Sequence, residues 1–181
     1  MAEYIAPHLT TPIFIMNSAY DAYQLPQILK TPCALGQVNL TDCSAAALAE
    51  VQTYAAAFKT KALAAVKANK GPAGASGAFV DSCWVHEQNV EYCSNQGVPN
   101  CVGWTPSGVG AKKWAYTTSV KHGGQEFTPQ QAFAQYYASR KSGSVPTTCK
   151  GAEAKAACWA VVDETDFPDN GSCKYRTKPA Y

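Results

Sequence analysis

Two residues of this chain have the type and the setting for acid-base chemistry. Asp21 follows the apolar run Ile13-Phe14-Ile15-Met16, and His86 follows Gly77-Ala78-Phe79-Val80. A carboxylate that orients an imidazole lets it take the proton of a hydroxyl nucleophile and later return it to a leaving group. Such a pair is the acid and base half of an acyl-transfer site. The serine it would serve ordinarily sits in Gly-x-Ser-x-Gly after a strand, and no such segment occurs in the 181 residues. Ser76, in Gly74-Ala75-Ser76-Gly77-Ala78, comes nearest, but its last position is Ala and it precedes a strand. Ser107, in Thr105-Pro106-Ser107-Gly108, lacks a strand upstream. Neither is assigned as the nucleophile.

The elements around Asp21 and His86 decide whether the two can meet. Pro12 introduces a short apolar run at Ile13 to Met16, the pattern of a strand covered on both faces, with Asn17 ending it. Leu25 to Asp42, with Pro26, Pro32 and Gly36, reads as a long loop above the sheet. From about Ser44 the residues Leu48, Val51, Ala55, Phe58, Ala62 and Val66 alternate steps of three and four, so one helix stripe carries them until Gly71-Pro72. Gly77 to Cys83 is the second strand. A strand-helix-strand unit places its strands in parallel through a right-handed crossover. Asp21 and His86 then leave the same carboxyl edge, where open α/β sheets keep their sites.

Serine, acid and histidine in that chain order are the pattern of α/β-hydrolases. The predicted fold class is therefore α/β: the C-terminal part of an α/β-hydrolase-like fold with parallel strands, a long crossover helix and a disulfide-rich loop tail. Residues 1–181 read as a single domain or fragment, with 93–181 as the cysteine-rich tail. One later helix is signalled within that tail. Thr128 can cap it, Pro129 suits its first position, Gln131 completes a capping box, and Phe133, Tyr136 and Tyr137 precede Gly143.

Composition bounds the class of partner. Hydrophobic residues at 46% against 15% charged describe a chain that folds. The net charge is +2, and the basic pairs Lys112-Lys113 and Arg140-Lys141 stand isolated, so neither nucleic acid nor an anionic membrane is implied. No apolar run approaches the roughly 18 residues of a membrane span.

Eight cysteines, Cys33, Cys43, Cys83, Cys93, Cys101, Cys149, Cys158 and Cys173, accompany two glycosylation sequons at Asn39 and Asn170. Both features favour a secreted protein with disulfides. A zinc site is disfavoured, because no Cys-x-x-Cys pair occurs and the three histidines are scattered. Proximity in sequence suggests Cys33 with Cys43, Cys93 with Cys101 and Cys149 with Cys158, leaving Cys83 for Cys173, among about a hundred connectivities. The start Met1-Ala2-Glu3-Tyr4 has no basic or apolar leader, so Met1 reads as an internal or introduced start, or the chain as a piece of a longer precursor.

Two blocks resemble a known family. Asn17-Ser18-Ala19-Tyr20-Asp21-Ala22-Tyr23-Gln24 is similar to the Asp-bearing block of the pectin acetylesterase and Notum family, and Asp81-Ser82-Cys83-Trp84-Val85-His86-Glu87 to its His-bearing block. Cys33, Cys43 and the intervening helix extend the resemblance to about residues 11–92. Glu87 directly after the histidine resembles the Notum branch, since plant members tend to carry cysteine there.

The resemblance implies a serine carboxylesterase in which Asp21 is the triad acid and His86 the general base, with Gln24 at most shaping the loop. It implies no cofactor and no metal. It further implies an N-terminal half carrying the Ser nucleophile, on the same precursor or a separate chain. The implied substrate is an acetylated cell-wall or extracellular polysaccharide such as pectin. A Notum-like deacylase acting on a lipid-modified protein is the nearest enzymatic alternative.

Blander readings stand beside these. An Asp after a strand ordinarily caps a turn, and a lone His is ordinarily structural. His122, in Lys121-His122-Gly123-Gly124, reads as an exposed loop residue, and His8 has no context. A non-catalytic secreted binding module is the alternative from another class, with Trp84, Trp104 and Trp114 and the ten tyrosines offering stacking surfaces for sugars.

Overall fold

A computed structural model describes residues 2–21, 23–31, 40, 43–69, 76–85, 119–142 and 159–164. In chain order they form a short helix α1 (Ala2–Ile5) running into a 3-10 turn (Ala6–His8), strand β1 (Phe14–Asp21), helix α2 (Gln24–Gln27) and helix α3 (Ala45–Ala68). Strand β2 (Gly77–Val85) follows, then strands β3 (Val120–His122) and β4 (Gln125–Phe127), helix α4 (Pro129–Ser142) and strand β5 (Trp159–Val162).

The mixed α/β architecture expected from sequence is present. Strands β1, β2 and β5 form a parallel sheet in that spatial order, with α3 connecting β1 to β2. The helix starts at Ser44, as its stripe suggests, and Ser44 Oγ caps it by accepting a hydrogen bond from the Ala47 amide at 3.2 Å. Its end is tied down by Asn69, whose Nδ2 donates to the carbonyls of Leu9 and Thr11, each at 3.1 Å. Among the described residues no helix is long and apolar enough to cross a membrane.

The sheet is covered on both faces, and strand alternation assigns each side chain to one of them. Ala78, Val80, Ala160 and Val162 join Ala19, Tyr20 and the α3 residues Val51, Ala55, Ala62 and Val66 in one core cluster. Phe79 and Val161, the intervening residues, point the other way and pack with Val120 and with Ala132 of α4. Burying each such Val or Phe contributes about 1.5–3 kcal/mol.

Several elements differ from the sequence reading, among them α2 at the start of the expected loop and β2, which runs to Val85 rather than Cys83. Strand β1 does not end at Asn17 but runs to Asp21, and its buried half is Ser18 to Asp21 rather than the apolar start. Ser18 tolerates burial because its hydroxyl is hydrogen-bonded within the sheet. A third parallel strand, β5, joins the sheet, and its four residues are too few to show a period in the sequence. The Gly123-Gly124 pair is the turn of a two-stranded hairpin rather than an open loop. Both glycines take positive φ, 57° and 76°, as a tight turn between β3 and β4 requires. The α4 capping box is observed in full: Thr128 Oγ1 accepts from the Gln131 amide at 3.2 Å, and Gln131 Oε1 accepts from the Thr128 amide at 2.9 Å.

Candidate active site

Asp21 is the last residue of β1, at the carboxyl end of the parallel sheet, and only 2% of it is exposed. Its Oδ1 accepts two hydrogen bonds, from the backbone amides of Tyr23 and Gln24, both at 2.8 Å. The bland expectation for an Asp after a strand is thus met: the carboxylate closes the turn into α2. That role uses one oxygen and fixes the orientation of the whole carboxylate.

The turn is braced from the crossover helix. Gln24 Oε1 accepts a hydrogen bond from the Tyr54 hydroxyl of α3 at 2.7 Å. Burial raises the Tyr54 phenol above its ordinary value of 10.0, the Asp21 carboxylate adds to the rise, and Lys61 opposes it. The hydroxyl therefore keeps its proton and remains the donor at neutral pH. Gln24 shapes this turn from both ends. Its amide holds Asp21, and its side chain anchors that amide to α3.

His86 lies outside the described residues, but the backbone leading to it does not. Strand β2 pairs in parallel with β1 from Phe14 opposite Gly77 through Asp21 opposite Val85. Val85 is the residue immediately before His86. The ladder thus sets Asp21 beside the strand end from which His86 follows, on the sheet edge that the strand-helix-strand reading requires.

The register is not uniform along the way. From Ser18 to Tyr20, β1 advances two residues, while β2 advances three, from Asp81 to Trp84. This is a β-bulge on β2, rare between parallel strands and common beside functional sites. Two buried polar side chains hold it. Ser18 Oγ donates to the Cys83 carbonyl and accepts from the Tyr20 amide at 3.0 Å, while Asp81 Oδ1 accepts from the Cys83 amide at 3.0 Å. Leaving either Cys83 group unpaired in the interior would cost about 1–3 kcal/mol.

Sequence reasoning passed over Ser18, Asp81, Tyr54 and Asp163. The signal for Asp81 was there to use: a carboxylate within an otherwise apolar strand is out of place unless it is bonded. Asp163, directly after β5, is buried, and its amide donates to the Val80 carbonyl at 2.8 Å, extending the sheet by one bond. His122 is not a free loop residue. Its Nδ1 lies 3.1 Å from the Val162 carbonyl and 3.8 Å from Glu164, which pins the hairpin to the end of β5.

Ser76 is placed where it cannot serve Asp21. It precedes β2 at the amino end of the sheet, about eight residues of strand and roughly 26 Å from the Asp21 edge. There its Oγ accepts from the Ile13 amide at 3.1 Å and donates to Asn69 Oδ1 at 3.0 Å. Ser107 lies outside the described residues, as do Asn39, Asn170, Cys33, Cys93, Cys101, Cys149, Cys158 and Cys173. Cys43 and Cys83 are described, and both are disulfide-bonded.

Comparison with known proteins gives this sheet edge its family. The chain is 33% identical over 94 residues to pectin acetylesterase 11 of Arabidopsis thaliana, covering 48% of this chain and 22% of the relative. It is 31% identical over 103 residues to pectin acetylesterase 7 of the same plant, covering 52% of this chain and 25% of the relative. These matches thus span about a quarter of the length of the curated relatives. No solved structure matches the chain. The family model for pectinacetylesterase matches residues 1–174, through the tail as well as through both blocks, and the chain belongs to the pectinacetylesterase family.

Proposed function

We propose that this chain is the acid- and base-bearing C-terminal portion, residues 1–181, of a secreted serine carboxylesterase that removes acetyl groups from pectin or a related extracellular polysaccharide. The observation that carries the reading is the register that sets Asp21 across from Val85, one residue before His86. In this reading Asp21 Oδ1 stays with the turn amides and Oδ2 accepts from His86 Nδ1, so Nε2 is left as the base.

The chemistry follows. A serine Oγ attacks the acetyl carbonyl as His86 Nε2 takes its proton, and the tetrahedral intermediate expels the sugar oxygen, which receives that proton. Water, activated by the same imidazole, then hydrolyses the acyl-enzyme and releases acetate. Asp21 balances the charge of the imidazolium that forms at each stage. The serine and the oxyanion donors come from the N-terminal half, on the same precursor or on a partner chain. The absence of a Gly-x-Ser-x-Gly segment and the quarter-length match to the relatives support that division.

Secretion fits the bonded state of Cys43 and Cys83, which an oxidising compartment preserves. Within it, the pairings Cys33 with Cys43 and Cys83 with Cys173 and glycans at Asn39 and Asn170 complete the reading.

The test is complementation. The chain is co-expressed with the Ser-bearing N-terminal segment of a full-length Arabidopsis relative, and acetate release from acetylated pectin is followed with labelling by a fluorophosphonate. Release and labelling are expected only with both segments present, and both should vanish in Asp21→Ala and His86→Ala. Turnover that survives both substitutions would sink the assignment. Binding to pectin without labelling or release would favour a non-catalytic binding module.

A further inference from the structure

Strand pairing between β1 and β2 changes offset partway, and the place where it changes is built from buried polar groups. Phe14 to Ser18 face Gly77 to Asp81 at one offset, and Tyr20 and Asp21 face Trp84 and Val85 at an offset one larger.

The bulge is clamped from both strands at one peptide unit on either side of Cys83. Asp81 holds the Cys83 amide from within β2, and Ser18 holds the Cys83 carbonyl from β1 while fixing the Tyr20 amide of its own strand. Ser18 is 1% exposed and Asp81 0%, so neither is there to meet solvent. A buried carboxylate and hydroxyl in a strand are costly choices where Val would pack, unless their bonds set something that packing cannot.

What they set is a displacement. With one unbroken offset Asp21 would face Trp84, and His86 would lie two residues beyond that partner. The bulge makes Val85, the residue before His86 in the sequence, the partner instead, a shift of about 3.3 Å along the strand. Hydrogen bonds to an imidazole tolerate only a window of roughly 2.7–3.2 Å. A one-residue slip therefore decides between a bonded pair and a separated one. Resting on the catalytic reading of Asp21 and His86, we propose that Ser18 and Asp81 are positioning residues, which hold the β2 bulge so that Val85, the residue before His86, pairs with Asp21.

The bulge and the catalytic pair are tested by separate observations on the full chain by NMR. The register is read from cross-strand amide-to-Hα contacts. The pair is read from the low-field Nδ1 proton of an imidazole bonded to a carboxylate, with His8 and His122 as internal references. The unsubstituted chain should show Asp21–Val85 contacts and the His86 proton signal. Asp21→Asn should lose that signal and keep the register; a chain with no such signal at the outset contradicts the catalytic reading and leaves the bulge result standing.

Ser18→Ala should keep the contacts from Phe14 to Asn17 but move Asp21 opposite Trp84 and lose the His86 signal. Asp81→Asn retains an acceptor oxygen and should preserve both readouts. If Ser18→Ala does not fold, Asp81→Leu against Asp81→Asn poses the same question, with Leu alone losing the Asp21–Val85 contacts. Retention of those contacts and of the signal in Ser18→Ala, or in Asp81→Leu, overturns the proposal.

Discussion

Asp21 faces Val85 across a parallel strand pair, and this pairing exists only because β2 carries one more residue than β1 between the apolar start and the carboxyl edge. The site is thus built by counting. A helix spanning Ala45–Ala68 returns the chain so that the strands run parallel, and a bulge near their ends trims the register by one step.

The turn role of Asp21 and its proposed triad role are separable. Asn at this position keeps an oxygen for the Tyr23 and Gln24 amides, whereas Ala removes it. In the complemented enzyme both substitutions are expected to lower kcat, toward the roughly ten-thousand-fold loss that follows loss of a triad carboxylate. In thermal melts of the chain Asp21→Ala should cost about 1 kcal/mol more than Asp21→Asn, the typical worth of a cap. Equal melting of the two variants would show that the turn bonds carry no stability.

Tyr54 gives the fold an alkaline limb. Its phenol is raised above 10.0 by burial and by Asp21, so between pH 10 and the folded value the unfolded chain loses a proton that the folded chain keeps. Stability is fully present below pH 10 and falls as pH rises through that window. Denaturation followed from pH 8 upward should show the decline, and Tyr54→Phe should flatten it while removing the bond to Gln24, worth about 1 kcal/mol at neutral pH.

The hairpin turn depends on backbone conformation rather than on space. A Cβ on Gly123 or Gly124 would meet nothing within 4 Å, yet both positions have positive φ. Gly123→Asn should be nearly neutral, because Asn tolerates the left-handed region, and Gly123→Val should destabilise by about 1–2 kcal/mol. Melting temperatures of the two variants provide the comparison.

The α4 cap is a local test of the same kind. Thr128→Ala leaves the Gln131 amide without its acceptor and breaks the reciprocal bond, so helix content and stability should fall by about 1 kcal/mol. A double variant with Gln131→Ala should lose little more, since the two side chains act as one unit.

Much of this was legible in the residues themselves. The α3 stripe at Val51, Ala55, Ala62 and Val66, the helix start at about Ser44, the Thr128 box and the parallel return to Gly77 all follow from local periodicity, capping chemistry and crossover topology. Placing Asp21 and the Val85 end of β2 on one edge needed only that topology. What the sequence hid was non-local. Nothing in Ser18 announces that its hydroxyl reaches a carbonyl 65 positions away, and β5 is too brief to declare a period. Gln24 and Tyr54, 30 residues apart, meet only after α3 folds back over β1. Asp81 alone left a trace, as a charge where the pattern asked for an apolar residue.

The distance from Asp21 Oδ2 to His86 Nδ1, measured in a crystal of this chain, decides whether carboxylate and imidazole form one pair. A separation of about 2.7–3.2 Å is expected, with Oδ1 still on the Tyr23 and Gln24 amides. An imidazole turned away from the carboxylate, or held by a different acceptor, would contradict it.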